Sequence, residues 1–589
     1  MEKWFVAAKK ADFEGWSERF HIHPVTARII RNRDIVSEEE VQKYLYGDLK
    51  DLYDPMLMRD MGKAVEIVSR KICEKKIIRI IGDYDVDGIC AAHILTKGLR
   101  TVGAIVDTAI PHRIRDGYGL NEQLITDAHE AGVDTIITCD NGIAAAPQIA
   151  YARKLGMTVV VTDHHEVPFW EEGGERREIL PPADAVVDPK QGACSYPFSG
   201  ICGAVVAYKF LQALYGKLSP QTPQMRDTLE EMLQFAALAT VCDVMELLGE
   251  NRIVVKEGLK RLRSKPSSGI SALMEVNGIS PAHVNVYHMG FIIGPCMNAT
   301  GRLDTALRAM ELLNAAEKRE ALSIAGELKE LNDSRKLMTL KGVEQAQKYV
   351  QENGLEQAKV QVIFLPDCHE SLAGIIAGRV REKYGRPVFV LTRGEEGVKG
   401  SGRSIEAYHM YESMTACSEF FTKFGGHRMA AGLSMEEKDI PAFAQKINET
   451  CTLTEEDFIP KVHIDVPMPF ALADKKMARD LEVLEPFGVS NPKPLFARKD
   501  VHFRSAVKLG EKGNFTRFML SEDGEVYREA VYFGDFAKFS EVVDQRYGAG
   551  ASQRLFREKC DYLVSVTYQL GINSFRGKEE AQLVLQNFC

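Results

Sequence analysis

The chain has 589 residues, 45% of them hydrophobic and 27% charged, which is typical of a globular protein with three or four domains. The net charge of −9 does not exclude a nucleic-acid partner, because bound cations would offset a cluster of carboxylates. The twelve cysteines form no CxxC pair and no apolar run is long enough to span a bilayer, which argues against a disulfide-rich secreted protein and a membrane protein, so we expect a cytoplasmic one.

The first part of the chain favours helices, and Ser37 followed by three glutamates is typical of a helix N-cap. From Ile77 onward, short apolar runs alternate with helical stretches. This alternation predicts an α/β fold with a parallel sheet wrapped by helices. We place strands at 77–81, 104–110, 135–139 and 158–162, and helices near 88–101, 121–131 and 144–156.

The first predicted strand leads into three aspartates at alternate positions, Asp83, Asp85 and Asp87. Alternate side chains of an extended chain share one face, so these carboxylates would repel one another unless cations lay between them. Gly88 then allows a sharp turn into a helix. A calcium-binding EF-hand loop would need a glutamate where Ile94 stands, and a helix before the acids. We therefore prefer a catalytic metal site to a calcium loop or a solvated acidic turn.

Acidic residues end three more apolar runs of the chain. Asp140 follows the third strand, Asp163 and two histidines follow the fourth, and Asp243 follows an apolar segment at 235–241. Each alone could be a helix N-cap. Together they indicate one site, because ligands of parallel sheets bind at the carboxyl ends of the strands.

The residue types at this site suit Mn²⁺ or Mg²⁺, which prefer carboxylates with one or two imidazoles. Five or six such ligands suggest two ions that share a bridging carboxylate, an arrangement that assists phosphoester hydrolysis. The predicted ligands are Asp85, Asp87, Asp140, His164 and Asp243. Asp83 is a sixth ligand or a supporting acid. Adjacent histidines diverge, so His164 ligates while His165 contacts the scissile phosphate or donates a proton.

The remaining sequence predicts three further segments. Residues 317–353 contain no proline and favour one long helix, which would bridge two domains. A second α/β unit follows at 354–456, and shorter apolar runs at 457–589 predict a small β-barrel or β-sandwich. The first domain would then be 1–316, with the helical N-terminal part as its lead-in.

Several clusters could hold phosphates or bases, although plain turns and barrel core explain them equally well. Arg113 follows the second strand, and the glycine-rich segments 399–404 and 424–428 offer backbone amides beside cationic or imidazole groups. In the C-terminal part, aromatic rings and cations could stack and hold single-stranded bases. These residues are Phe503, Phe515, Phe518, Tyr532, Lys508, Lys512 and Arg517.

The ordered motifs resemble those of the DHH phosphoesterase superfamily. The resemblance rests on Asp83–Gly88, on Asp140-Asn141-Gly142, on Asp163-His164-His165 and on Asp243. The segment 424–427 with the following MetAlaAlaGlyLeu resembles the DHH-associated second domain. Residues 484–496 are similar to the segment that enters the terminal OB-fold of the superfamily's single-strand-specific DNA exonucleases.

This resemblance implies a DHH domain and a DHH-associated domain that face each other across a narrow channel, joined by the long helix, with a C-terminal OB-fold. It implies hydrolysis of single-stranded DNA from the 5′ end to mononucleotides, in recombination and repair, with two Mn²⁺ or Mg²⁺ ions. A monomer is expected, with a single-stranded-DNA-binding protein and a helicase as partners. The substrate contacts carried over by motif are Arg113, Arg302, His369, Ser401, Arg403, Gly425, Gly426 and His427.

The chain departs from the pattern at Cys296, where an arginine is expected, and at Cys368 and Glu370 beside His369. These departures bear on recognition of the strand end more than on hydrolysis. Two alternatives stay open: a DHH-type phosphodiesterase of short oligonucleotides or cyclic dinucleotides, and a non-catalytic single-strand-binding scaffold. The first would not need a third domain, and the second should have lost metal ligands.

Overall fold

The computed structural model describes residues 2–113, 117, 119–172, 175–218, 222–303, 305–395, 397–510, 513–575 and 577–589. They form two compact units. The larger unit contains Tyr53–Asp243 and Gly258–Ile459, and the smaller unit contains the residues up to Leu52, Val244–Glu257 and Pro460–Cys589. All twelve cysteines are free, as their spacing predicts. Within the described residues, no helix is both long enough and apolar enough to cross a bilayer.

A parallel sheet forms the first half of the larger unit, as the alternation of strands and helices predicts. Its strands, in spatial order, are Ile105–Ala109, Ile77–Ile81, Thr135–Cys139, Thr158–Thr162 and Ala185–Val187. The predicted strand positions agree with these to within one residue, and Ala185–Val187 was not predicted. Helices cover the sheet at Met61–Cys73, Val86–Thr101, Glu122–Glu130, Ala146–Lys154, Gly203–Lys217 and Pro223–Cys242. A two-stranded hairpin, Phe169–Glu172 with Glu175–Glu178, follows the fourth predicted strand.

Further helices connect this sheet to a second one. They are Gly249–Ser264, which contributes residues to both units, Ser268–Val276, Val286–His288, a π-helical turn Met289–Ile293, Gly294–Leu303, Leu307–Asn314 and Lys318–Glu352. The last is the predicted long helix, with 35 residues. Its buried apolar positions include Ala321 and Leu328 near the start, and Ala346 and Val350 near the end. The latter two pack in the core of the second sheet.

The second sheet belongs to the predicted second α/β domain. Its strands, in spatial order, are Phe421–Gly426, Ala430–Met435, Val398–Arg403, Val388–Arg393 and Gln361–Phe364. Helices Ala373–Tyr384, Met410–Thr415 and Ile440–Glu449 pack around it. Unlike the first sheet, it is mixed, because only the last two of these strands run parallel.

The smaller unit contains the predicted β-barrel. Its strands are Val466–Pro467, Phe496–Leu509, Phe515–Ser521, Arg528–Tyr532, Tyr562–Phe575 and Lys578–Phe588. The long strand Phe496–Leu509 pairs with Phe515–Ser521 on one side and Tyr562–Phe575 on the other, which closes the sheet. Helices of this unit are Phe13–Phe20, Pro24–Asn32, Glu38–Tyr46, Lys475–Asp480, Phe536–Tyr547 and Ala551–Arg554. The predicted N-cap at Ser37 is present, with Glu40 completing a capping box.

The aromatic residues singled out in the barrel have two different positions. Phe503, Phe518 and Tyr532 lie in the core, so the prediction that they stack on bases is wrong. Phe515 instead contacts the exposed ring of Phe533, at 5.3 Å between centroids. Alternate residues of a strand face opposite sides, which places Phe515 and Phe518 on opposite faces. Lys512 lies outside the described residues.

The N-terminal helices belong to the barrel's core and not to the parallel-sheet domain to which the sequence assigned them. Trp16 and Phe20 are buried in the same apolar cluster as Phe496. Strand Lys3–Val6 pairs with Lys461–Ile464, and Arg33 forms a buried ion pair with Asp465 at 2.6 Å. An apolar helix face shows that a helix is buried, but the core that buries it is decided by contacts more than 400 residues away.

Candidate metal centre

The acidic loop between the first strand and its helix brings three carboxylates together. The helix begins at Val86, and Asp85 is its N-cap, because its Oδ1 accepts the amide N–H of Gly88 at 3.1 Å. The three aspartates therefore converge where a loop passes into a helix. The prediction that they lie along an extended strand is wrong. Gly88 lies inside the helix, where a Cβ atom would be 2.4 Å from the amide nitrogen of Asp83. Close backbone approach, and not a sharp turn, requires glycine there.

The next strand end places Asp140 beside this loop. Its φ of 60° is left-handed, a conformation that aspartate tolerates better than most residues. Gly203 makes room for it, because a Cβ atom on Gly203 would be 2.7 Å from the Asp140 Cβ atom. The side-chain amide of Asn141 donates to the carbonyl oxygens of Ile81 and Cys139 and so ties the two strand ends together.

Asp243 reaches the same place from a helix, as the residue after the C-terminal end of Pro223–Cys242. With it, the described carboxylates and imidazoles form three overlapping groups whose ligand atoms lie within 4.8 Å of one another. The groups are Asp83 with Asp85 and Asp140, Asp87 with His164 and Asp243, and Asp140 with His164 and His165. All seven residues predicted for the metal site and its chemistry are therefore brought together. Asp140 and His164 each belong to two groups, and of these two only the carboxylate of Asp140 has the two oxygens that a bridging ligand needs.

His164 directs a ring nitrogen into the cluster. Its Nε2 lies 3.1 Å from Asp140 Oδ1, 3.5 Å from Asp87 Oδ2 and 3.7 Å from Asp243 Oδ2. Burial lowers the pKa of the ring despite these neighbouring carboxylates. A neutral imidazole nitrogen surrounded by carboxylate oxygens has the position and the protonation state of a metal ligand.

His165 has a different environment. Its Nδ1 lies 2.8 Å from Asp163 Oδ1, and its side chain is 45% exposed. Burial opposes a charge on the ring, but the hydrogen bond and charge of Asp163 outweigh it and raise the pKa of His165 to about 9. His165 therefore carries a proton at neutral pH in the metal-free protein, which suits contact with a phosphate oxygen.

Asp163 supports the two histidines, which the sequence did not show beyond placing it in their motif. Burial raises its pKa, but the hydrogen bond and charge of His165 and the amide of Ile143 hold it below the ordinary value. Its Oδ1 also accepts the amide N–H of His164 at 2.7 Å. One ionised carboxylate thus holds the ring of His165 and the backbone amide of His164, and its position directly before the two histidines was the available signal.

Hydrogen bonds from backbone amides hold the carboxylate of Asp87 in place. Its two carboxylate oxygens accept the N–H groups of Gly203 at 2.6 Å and Ala204 at 2.7 Å, at the N-terminus of a helix. Asn298 Oδ1 accepts the amide N–H of Val86 at 3.1 Å. These contacts come from segments more than 100 residues away in sequence, so spacing could not reveal them.

The cluster is electrostatically strained without cations. Burial, and then the charges of neighbouring aspartates, raise the pKa values of Asp83 and Asp243 to about 8, and that of Asp140 also rises. A set of five aspartates and one neutral imidazole fits divalent cations of the Mn²⁺ and Mg²⁺ type, which bind oxygen ligands and occasional nitrogens.

This strain predicts coupling between pH and metal binding. Without metal, Asp83 and Asp243 keep protons in the folded state up to about pH 8 but lose them near pH 4 when unfolded. The free energy of unfolding in chelator should therefore fall as the pH rises from about 4 to 8. Binding of Mg²⁺ at pH 7 should release protons and raise the melting temperature most at the higher pH.

Calorimetric titration in buffers of different ionisation enthalpy measures the released protons, and thermal unfolding with and without chelator measures the stability. Asp243→Asn should release fewer protons than the wild type. Metal binding without proton release at pH 7 would contradict the raised pKa values.

Beside the metal cluster, a cavity of about 430 Å³ opens between the two α/β domains of the larger unit. Tyr84, between Asp83 and Asp85 in sequence, lines it together with Arg113, Ser371, Ser401 and Gly425. The Arg113 guanidinium lies 4.9 Å from the centre of the Tyr84 ring. Of the predicted substrate residues, Arg113, Ser401 and Gly425 therefore face one space next to the acids.

Two partly buried arginines, Arg302 and Arg403, lie next to residues of this cavity. Arg302 Nη1 donates to the Ser371 carbonyl oxygen at 2.5 Å. Burial, and then the charges of Arg113 and Arg335, lower the pKa of Arg302 to about 10. Burial and the charges of Arg381 and Arg113 also lower the pKa of Arg403. Guanidinium groups that lie this close together concentrate positive charge, which suits an anion such as a phosphate.

The other predicted substrate residues are arranged differently. The segments 399–404 and 424–428 lie mainly in strands Val398–Arg403 and Phe421–Gly426, so the prediction of phosphate-holding loops is wrong. Both strands nevertheless contribute residues to the cavity lining. Gly426 and His427 are not among the described residues that line it. His369 Nδ1 lies 2.8 Å from Ser371 Oγ and thereby positions a lining residue.

The departures from the expected pattern also have defined places. Cys296 is buried, and its Sγ accepts a hydrogen bond from Asn332 of the long helix at 3.5 Å. Glu370 lines the cavity and pairs with Lys399 at 3.1 Å. Cys296 thus packs between helices, while Glu370 offsets one of the positive charges near the anion site.

Comparison with known protein families gives three matches in chain order. The DHH family, N-terminal domain, matches residues 77–240, the DHHA1 domain matches 357–453, and the RecJ OB domain matches 464–587.

Several known proteins are similar over most of the chain. The single-stranded-DNA-specific exonuclease RecJ of Escherichia coli K12 is 31% identical and that of Haemophilus influenzae 30% identical, each over 96% of this chain and at least 95% of its own length. The Bacillus subtilis protein of the same name is 35% identical over 86% of this chain, which spans 62% of that relative's length. The crystal structure of RecJ from Thermus thermophilus in complex with Mn²⁺ has a TM-score of 0.80 and 26% identity, covering 100% of this chain and 79% of that one.

Proposed function

The chain belongs to the RecJ family, and on that premise we propose that it is a metal-dependent exonuclease that hydrolyses single-stranded DNA from its 5′ end to mononucleotides. The observation that carries the proposal is the cluster of carboxylates and imidazoles next to a cavity that is lined by Arg113, Lys399 and Lys423. Phosphodiester hydrolysis needs charge stabilisation at the scissile phosphate and a hold on the rest of the strand, and the two features supply them.

We assign the ligands of two divalent cations to Asp83, Asp85, Asp87, Asp140, His164 and Asp243. Such ions supply Lewis-acid stabilisation of the attacking and leaving oxygens when bound. His165, charged through its contact with Asp163, donates a hydrogen bond to a phosphate oxygen in the transition state. Arg113, Arg302, Ser401 and Arg403 hold the terminal phosphate, with His369, Gly425, Gly426 and His427 in supporting positions.

The domain boundaries that support this function are 317–353 for the connecting helix, 354–456 for the substrate-binding domain and 457–589 for the OB-fold. The N-terminal residues up to Leu52 complete the OB-fold's apolar core. We further propose that the protein acts as a monomer on strands exposed by a helicase and delivered by a single-stranded-DNA-binding protein, as the resemblance implies.

Digestion of end-labelled DNA tests the function directly. We expect single strands carrying a 5′-phosphate to be shortened from the 5′ end to mononucleotides with Mn²⁺ or Mg²⁺, and duplexes and chelator-treated reactions to stay intact. Release of the 3′ label first, or cleavage limited to di- and trinucleotides, would refute the proposal, and the latter would favour a phosphodiesterase of short oligonucleotides.

A matched pair of variants tests the anion site in the same assay. Arg403→Gln removes a positive charge beside Ser401 of the cavity and should raise KM for 5′-phosphorylated strands by about tenfold, while 5′-hydroxyl strands should change little. Arg557→Gln, in an exposed part of the barrel unit, should leave both unchanged. An equal effect of Arg403→Gln on both ends would argue against contact with the terminal phosphate.

The barrel offers one pair of neighbouring rings outside its core, the half-buried Phe515 and the exposed Phe533, for a test of single-strand binding. Deleting residues from 457 onward would uncover the apolar core shared with Trp16 and Phe20, so point variants are the better experiment. Phe515→Ala with Phe533→Ala should weaken binding of long strands by about tenfold or more, because stacking contributes roughly 1–3 kcal/mol per base. Cleavage of very short oligonucleotides should be unaffected.

Fluorescence anisotropy across a salt series measures this affinity. Val526→Ala, at a side chain that is 64% exposed in the same unit, is the control. Unchanged affinity of the double variant for long strands would assign these two rings to another role, such as docking of a protein.

A further inference from the structure

An exposed pair of aromatic rings lies next to the metal centre. Of the aromatic side chains that the structure describes, Phe291 and Tyr287 are the two most exposed, at 67% and 61%. Their ring centroids are 5.1 Å apart and their planes differ by 21°, so the rings are stacked on each other. Large aromatic residues that stay in water in this arrangement are typical of a surface that binds a partner.

The position of the pair relative to the metal ligands follows from packing. In sequence the two residues flank Gly290, which lies in the π-helical turn Met289–Ile293. A Cβ atom on Gly290 would lie 3.3 Å from Val241 Cγ1, and the Cys242 thiol donates to the Met289 carbonyl oxygen at 3.6 Å. The turn therefore packs directly on the two residues that precede Asp243. π-Helical turns of this kind are frequent at functional sites.

The same helical run connects the rings to the arginines. From Val286 to Leu303 it contains no aspartate or glutamate, and Arg302 is near its C-terminal end. Asn298, between the two ends, holds the amide of Val86 at the start of the acidic helix. At 1.5 Å per residue, Phe291 and Arg302 are separated by about 16 Å along the axis. The proposed metal ligands thus lie beside the middle of this helical run. The rings of Tyr287 and Phe291 are near its N-terminal end, and Arg302 is near its C-terminal end.

We infer that Tyr287 and Phe291 form a stacking platform for the bases on the 3′ side of the scissile phosphate. This inference rests on the proposed function, because the terminal phosphate at Arg302 sets the direction in which the strand continues. Parallel rings without nearby acidic residues in their own segment accept any base, since every base has a flat apolar face and none is read by hydrogen bonds. The platform would hold the strand in register while the nucleotide at the metal centre is removed.

Substitutions that remove the rings without touching the core test the platform. Tyr287→Leu with Phe291→Leu keeps apolar area but removes the stacked rings, whereas Phe291→Tyr keeps a ring. We expect the double variant to bind single strands in chelator about ten- to a hundredfold more weakly and to show a raised KM with kcat nearly unchanged, and Phe291→Tyr to behave like the wild type. Leu337→Ala, at an exposed apolar position of the long helix, is the control.

Modified strands locate the contact. An abasic site on the 3′ side of the scissile phosphate should weaken binding to the wild type by the same factor and add no further loss in the double variant. Equal affinity of the double variant and the wild type for intact strands, or independent effects of the abasic site and the variant, would overturn the inference and favour docking of a protein on these rings. Failure of the wild type to bind or cleave single strands would instead refute the proposed function.

Discussion

Asp140→Asn should lower the rate of hydrolysis by about 10³-fold or more at saturating Mn²⁺ or Mg²⁺, because it removes a ligand shared by two groups of the metal cluster. The fold should be retained. Asparagine has nearly the same shape and tolerates the left-handed φ of 60° at this position, which alanine would adopt less readily. Loss of one buried carboxylate also relieves repulsion, so the variant should be at least as stable as the wild type in chelator.

Steady-state kinetics and thermal unfolding in chelator separate these two effects. Asp227→Asn, an exposed position on the helix that leads to Asp243, is the matched control and should be fully active. Asp87→Asn should also be inactive, but with some loss of stability, because Asp87 accepts two amide hydrogen bonds from the helix that begins at Gly203. Activity of Asp140→Asn within a few fold of the wild type would rule out the two-metal assignment.

Variants of the two adjacent histidines should fail in different ways. His164→Ala removes the nitrogen that lies among three carboxylates and should weaken metal binding by at least about tenfold. His165→Ala should bind metal normally but turn over about 10²- to 10⁴-fold more slowly, because it removes the charged group next to Asp163.

Metal titration by calorimetry and single-turnover kinetics measure the two quantities independently. Asp163→Asn should resemble His165→Ala, since it removes the carboxylate that raises the pKa of His165. His409→Ala, at a histidine that caps a helix in the second α/β domain, is the control. Equal loss of metal from His164→Ala and His165→Ala would show that both residues ligate.

The sequence by itself determined the strands of the parallel sheet, the long helix and the set of acids and histidines that the structure brings together. Runs such as Ile77–Ile81 and Thr158–Thr162 are short and rich in β-branched residues, so their signals are local. Parallel strands place their carboxyl ends at one edge of the sheet, so Asp140 and His164 could be assigned to one site from their positions after strands. Both inferences depend only on neighbouring residues and on a general property of the fold.

Only the tertiary structure decided how the remaining parts are used. The need for glycine at position 88 comes from the backbone of Asp83, and the support of Asp87 comes from a helix more than 100 residues later. The glycine-rich segment 399–404 resembles a loop in sequence, yet pairing with two neighbouring strands makes it a strand. Contacts between distant segments also decide which core buries the N-terminal helices and leave the rings of Tyr287 and Phe291 exposed. The partner against which an apolar face is buried is set by contacts between segments that are far apart in the chain. Such contacts cannot be predicted from the neighbouring residues alone.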